Sequence, residues 1–175
     1  MNSSVTSVIK TRTSIRKYQE RPVEDDLIRQ ILAAAMYAPS ACNQQPWEFY
    51  VVTDKRVIEK LAKASPYAGC AAGAPVVIIP AYRENVAAPE YCQIDMALCA
   101  ENLWLEAENL GLGTVFLGIA PDEERMKAVA DAAGIPESVK PFALFPVGYP
   151  DEEPVKEARV NFERIHYITE NDWDD

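Results

Sequence analysis

Gly111-Leu112-Gly113-Thr114-Val115-Phe116-Leu117-Gly118 places three glycines in eight residues and at first sight suggests a dinucleotide-binding fingerprint. That fingerprint needs a strand, then the glycines, then a helix whose N-terminus receives the pyrophosphate. Here the order is reversed. The glycines close a long helical pattern over residues 90–110 and open an apolar strand over residues 114–117. Gly111 therefore reads as a helix C-terminal cap, a place where only glycine takes a positive φ without cost. A Rossmann fold is rejected.

Working outward, the pattern over residues 90–110 carries Cys92, Met96, Cys99, Leu103 and Leu110 on one face and Ile94, Leu98 and Leu105 on another. A helix apolar on more than one side is buried centrally or shared with a second subunit. Downstream, Pro121-Asp122-Glu123-Glu124 opens a helix through Met126, Val129 and Ala133, stopped by Gly134, and residues 142–147 make a last core strand. Upstream, Val76-Val77-Ile78-Ile79 is a buried strand that Pro80 assigns to an edge or an end. Residues 54–64 read as a helix with Val57, Ile58 and Leu61 inward, and residues 47–53 as a strand. A further helix follows Pro22, with Glu24, Asp25 and Asp26 at its positive end and Leu27, Ile28, Ile31, Leu32 and Ala35 in one stripe, until Pro39-Ser40 ends it. Ser3 or Ser4 caps a short first helix running to about residue 12. Helices and strands mix without strict βαβ alternation, which points to an α+β fold.

The 175 residues, 49% of them hydrophobic, suffice for one domain, with residues 150–175 a polar C-terminal extension. With 27 Asp and Glu against 17 Lys and Arg, the formal charge is -10. Such a chain repels phosphate, so nucleic acid and anionic membranes are poor partners, and an anionic ligand needs a local knot of cations. The N-terminal residues have neither the charged nor the apolar region of a secretion signal, and no apolar run reaches transmembrane length, so a cytoplasmic location is expected. Cys42, Cys70, Cys92 and Cys99 form no C-x-x-C and have no histidine nearby, which argues against zinc and against a redox dithiol; no metal is expected. Cys92 and Cys99 read as buried thiols. The lone His166 lies in a polar stretch, reads as an exposed side chain, and has no nucleophile motif beside it.

Two segments carry candidate chemistry. Arg12-Thr13-Ser14-Ile15-Arg16 brings two guanidiniums and two hydroxyls to a helix end. Arginine forks pair with phosphate bidentately, each charge-assisted bond contributing roughly 1.5–3 kcal/mol. Taken alone, the segment reads more readily as a solvated basic turn. Ala38-Pro39-Ser40-Ala41-Cys42-Asn43-Gln44-Gln45-Pro46-Trp47 restrains one hydroxyl and three amides between two prolines. Those groups suit the edge of a heterocycle. They suit equally a helix-to-strand connection bonded to its own backbone.

Taken together, Arg12-x-Ser14-x-Arg16, Ala38-Pro39-Ser40-x-x-Asn43-x-Gln45-Pro46-Trp47, Gly111-Leu112-Gly113 with Gly118, and Val147-Gly148-Tyr149-Pro150 resemble the nitroreductase family of FMN-dependent oxidoreductases, in order from residue 9 to about 167. The resemblance implies a mostly antiparallel sheet flanked by helices, in a homodimer whose C-terminal extensions wrap the partner. It also implies two FMN sites built from both subunits and ping-pong electron transfer from NAD(P)H to nitroaromatics, quinones or similar small oxidised molecules. Flavin reduction, ene reduction, reductive dehalogenation and flavin binding without turnover are alternatives on the same scaffold. By the same resemblance, Arg12, Thr13, Ser14 and Arg16 meet the ribityl phosphate and flavin edge, and Pro39, Ser40, Ala41, Asn43 and Gln45 form the loop from the other subunit. Leu117 and Gly118 bring backbone N–H groups to the flavin N5 side, and Arg159 returns to the phosphate. The family's Lys-x-Arg is here Lys156-Glu157-Ala158-Arg159, and residues 68–73 lack the basic or amide residue that many relatives place before the following strand. No side chain is assigned as a catalytic acid or base.

Overall fold

A computed structural model describes residues 4–153 and 159–168. Six strands, β1 (Trp47–Val52), β2 (Val76–Arg83), β3 (Gly113–Thr114), β4 (Leu117–Gly118), β5 (Val139–Pro141) and β6 (Ala143–Gly148), form one sheet along the path β1-β2-β6-β3, with β4 on β6 and β5 on β2. All of these strand pairs are antiparallel. Among the described residues five α-helices flank it: α1 (Val5–Thr11), α2 (Asp25–Met36), α3 (Lys55–Leu61), α4 (Cys92–Asn109) and α5 (Glu123–Ala133). The α+β class and the antiparallel sheet agree with the reading of the sequence.

Alternation along β2 builds two cores. Val76, Ile78 and Tyr82 face α2 and α4, where Ile31, Met96, Leu103 and Phe145 are buried. Val77, Ile79 and Ala81 face α3 and α5, where Ile58, Leu61, Val129 and Leu144 pack. Because successive strand residues point to opposite faces, an unbroken apolar run is what a strand covered on both sides requires.

Local chemistry sets several boundaries where expected. Ser4 accepts the Ser7 N–H at 3.2 Å to cap α1, and Asp122 accepts the Arg125 N–H at 3.0 Å to cap α5. Gly134 ends α5 at φ +68°. Gly111 follows α4 at φ +74°, and the Leu112 N–H reaches back to the Ala107 carbonyl at 2.8 Å.

Three expectations are corrected. Pro80 lies inside the central strand, not at an edge. Its carbonyl accepts the Phe142 N–H at 2.9 Å, at the junction where pairing of β2 passes from β6 to β5. Carbonyl and nitrogen of one strand residue point the same way, so the missing donor faces a break already present in the ladder. The strand over residues 114–117 is two short pieces. Thr114 pairs with Val147 and Leu117 with Leu144, which sets Val115 opposite Pro146, a residue with no N–H to give. Finally, α3 stops at Leu61 rather than Ala64, passing into turns that lead to the 3₁₀ segment Gly69–Gly73.

Candidate functional site

Arg12 closes α1, its N–H donating to the Val8 carbonyl at 2.8 Å. Its guanidinium turns onto α4, 4.0 Å above the Trp104 ring and 3.9 Å from a Glu101 carboxylate oxygen. The side chain is only 11% exposed, and among the described residues its buried Nη1 has no hydrogen-bond partner. An unsatisfied buried donor costs about 1–3 kcal/mol, more when charged. Ser14 bridges Thr114, and the Ile15 N–H donates to the Thr114 carbonyl at 3.0 Å, so the segment lies along β3. Thr114 Oγ1 is a second buried polar atom without a partner. Thr13 and Ser14 are half-buried, while Arg16 is exposed. With Trp104 Nε1, three buried donors are unmatched among the described residues, and together with the half-buried hydroxyls and the exposed Arg16 they suit an anionic ligand rich in acceptor oxygens, so the donor set fits an FMN phosphate.

The rest of this segment is held by the chain beyond β6. Glu152 accepts the backbone N–H groups of Arg16 and Lys17, and the Gln19 N–H donates to the Tyr149 carbonyl at 2.9 Å. Tyr18 is buried, donating its hydroxyl to the Ile15 carbonyl, with the Pro146 carbonyl at 3.2 Å; burial drives its pKa well above the ordinary phenol range. The backbone of Arg12 through Arg16 is thus fixed by the Val8 and Thr114 carbonyls and by the Glu152 and Tyr18 side chains.

The amide loop is built from strain and a buried carboxylate. Cys42, Asn43 and Gln45 adopt φ of +51°, +51° and +45°, a region that non-glycine residues seldom occupy. Asp95, 3% exposed in the first turn of α4, accepts the Ala41 N–H at 2.9 Å and Gln44 Nε2 at 2.7 Å. Gln44 also joins the loop to Ala88, accepting its N–H at 2.8 Å and donating to its carbonyl at 3.0 Å. Ser40 Oγ accepts the Gln45 N–H at 3.0 Å, and Gln45 Nε2 donates to Asn43 Oδ1 at 2.9 Å. The amides therefore do bond within their own loop, while Pro39, Cys42, Asn43 and Gln45 remain exposed.

Within one chain the two segments stand apart along α4. Asp95 anchors one; Glu101 and Trp104 receive the other, six and nine residues later, about 9–14 Å along the axis. Leu117 is buried and Gly118 exposed on β4, whose alternation turns one of their N–H groups towards β6 and the other away. Arg159 is exposed, and Lys156 lies outside the described residues. A cavity of about 920 Å³ opens elsewhere, between α5 and β5, lined by Tyr82, Met126, Lys127 and Lys140 among others. It holds none of the candidate residues, so volume alone does not locate the chemistry. Among the described residues no helix is long and apolar enough to cross a membrane.

Sequence reasoning missed Asp95, Trp104 and Thr114. A signal for Asp95 was present: it lies three residues after Cys92 and four before Cys99, on the buried face of the helix, where a carboxylate needs a reason. Nothing local marked Thr114 or Trp104, whose roles appear only once α1 and β3 are docked. Cys92 and Cys99 are buried as expected, burial pushing the Cys99 thiol up to about 12, and His166 is exposed.

The sequence model of the nitroreductase family matches residues 9–66 and 66–149. A protein of Methanothermobacter thermautotrophicus, provisionally named an NADH dehydrogenase/NAD(P)H nitroreductase, is 40% identical over 163 residues, covering 93% of this chain and 85% of its own length. A crystal structure from Clostridium acetobutylicum, provisionally named an NADH oxidase, superposes with a TM-score of 0.87 at 43% identity, over 91% of this chain and 97% of that one. A provisionally named nitroreductase of Desulfovibrio desulfuricans, solved in complex with FMN, superposes with a TM-score of 0.82 at 27% identity, over 97% of this chain and 99% of that one.

Proposed function

The chain belongs to the nitroreductase family, a family of enzymes, and on that premise we propose that it binds FMN at two sites shared between the subunits of a homodimer and transfers electrons from NAD(P)H to small oxidised organic molecules such as nitroaromatics and quinones. FMN, when bound, supplies the chemistry of accepting a hydride and returning electrons to a second substrate, while the protein positions and tunes it. Arg12, Ser14 and Arg16, with Thr13 beside them, hold the phosphate and ring edge. Leu117 and Gly118 offer a main-chain donor from an edge strand. Pro39, Ser40, Ala41, Asn43 and Gln45 reach the ligand from the partner, and Arg159 returns to the phosphate from the extension.

The observation that carries this reading is the Arg12 guanidinium, held on Trp104 with a buried donor unmatched in a chain of net charge -10. Dimerisation is supported by the apolar surface. Met36, Tyr37, Ile94 and Leu98 are 44–88% exposed on or beside α2 and α4, and Phe162, Tyr167 and Ile168 are at least 78% exposed in the extension. Large apolar side chains left exposed on two packed helices and on the extension suit an interface. Donor and acceptor use the same space in turn, in a ping-pong sequence, which agrees with the lack of a dinucleotide fingerprint.

A visible spectrum of the purified protein before and after anaerobic NADH or NADPH tests the proposal. Flavin absorbance that bleaches with the reductant and returns with a nitroaromatic or quinone is expected. A colourless folded protein that ignores added FMN overturns the proposal. A flavin that neither nucleotide reduces leaves binding and removes turnover.

A further inference from the structure

The exposed atoms of the amide loop are presented by a backbone that the loop's own sequence does not favour. Three non-glycine residues in four positions, Cys42, Asn43 and Gln45, sit at positive φ. Each such residue is strained and persists only when its surroundings over-determine it. The surroundings here are few and specific. Within the loop, Ser40 Oγ and Asn43 Oδ1 each accept one hydrogen bond, and the Ser40 and Ala41 carbonyls accept the Asn43 and Gln44 N–H groups. From outside, Arg83 Nη2 donates to the Gln45 carbonyl at 2.8 Å, and Asp95 takes one donor on each oxygen, Ala41 N–H on Oδ1 and Gln44 Nε2 on Oδ2.

In these contacts the Asp95 side chain acts only as an acceptor. Both oxygens accept, the group is 3% exposed, and the first turn of α4 supplies a positive helix end. Gln44, fixed by Asp95, is the piece that staples the loop to Ala88 on the far side. The carboxylate touches no exposed surface of the loop, so its influence passes through Ala41 and Gln44. We propose that Asp95 is a positioning residue for the ligand: through Ala41 and Gln44 it holds residues 40–45 in the one backbone form that presents Ser40 and Asn43 to FMN. The inference rests on the FMN reading above.

The test exploits polarity. Asp95→Asn preserves volume but turns one acceptor into a donor facing Gln44 Nε2. Asp95→Asn combined with Gln44→Glu reverses that bond, conserves charge, and keeps the acceptor for the Ala88 N–H, while replacing the bond to the Ala88 carbonyl with a carboxylate oxygen that must turn away from it. FMN affinity of the apoprotein is measured by fluorescence titration, alongside the thermal midpoint without FMN. Asp95→Asn is expected to weaken FMN about tenfold or more, and the double variant to recover to within about threefold of the unmodified chain. Should Asp95→Asn fail to fold, Gln44→Ala leaves the carboxylate and its Ala41 bond in place and is expected to weaken FMN in the same direction. Native FMN affinity in Asp95→Asn or Gln44→Ala overturns the proposal. So does a folded double variant that regains thermal stability without regaining FMN. An unmodified chain that takes up no FMN overturns the parent reading and this one together, whereas FMN uptake indifferent to these variants overturns this one alone.

Discussion

Arg12 does two jobs at once, packing on Trp104 and offering charge, and substitution separates them. Arg12→Ala removes one partner of the FMN phosphate and should weaken FMN by about 1.5–3 kcal/mol, roughly 10- to 150-fold. Unchanged affinity in a flavin titration would leave Arg12 as a packing residue between α1 and α4 with no part in holding phosphate. The same substitution relieves an unmatched buried donor, so the apoprotein should lose little stability despite losing the contact with the indole. At this scale the sequence was most readable where chemistry is local. Ser4, Asp122, Gly111 and Gly134 act through atoms within a few residues of themselves, so composition and spacing announce them. Asp95 was unreadable as a partner because its donors, Ala41 and Gln44, lie more than fifty residues away in the chain.

Elements are fixed by what they meet, and here prolines and glycines misled or informed according to their neighbours. Pro80 is tolerated in β2 because its missing donor faces the junction between β6 and β5, whereas Pro146 itself interrupts the ladder between β3 and β4, and neither effect is visible until register is known. β5 escaped notice for the same reason: Val139, Lys140 and Pro141 show no strand pattern and pair only because β2 runs past them. Gly113 conveys the reverse lesson. Its motif was legible, but the reason is steric. A Cβ at Gly113 would lie 2.6 Å from Ile15 Cγ2 and 2.7 Å from Ile15 Cβ, a part of the side chain that cannot swing away. Gly113→Ala should therefore destabilise the fold by about 1–3 kcal/mol. It should also weaken FMN, because Ile15 lies between Ser14 and Arg16. A thermal midpoint that falls with FMN affinity intact would separate the strand from the site.

For the molecule as a whole, the two candidate segments lie about two helical turns apart on α4, and the apolar surface around α2 and α4 is uncovered in one chain. If FMN contacts both subunits, each subunit alone offers half a site, and flavin stabilises the dimer by mass action. Sedimentation velocity over a dilution series, read at protein and flavin wavelengths, should show subunits and flavin separating together. A monomer that retains flavin at full affinity would rule out the shared site. The division of the core into two layers bears on handling as well. Arg12, Trp104 and Asp95 all belong to the α2–α4 side of the sheet, whereas Lys55, Lys60, Lys63 and Lys127 stand exposed on α3, α5 and the turn after α3. Lys10 on α1 and Lys17 beside Arg16 are exposed as well, so general amine coupling to a resin would tether some molecules by the candidate site, and only coupling confined to the α3–α5 lysines would leave that side towards solution.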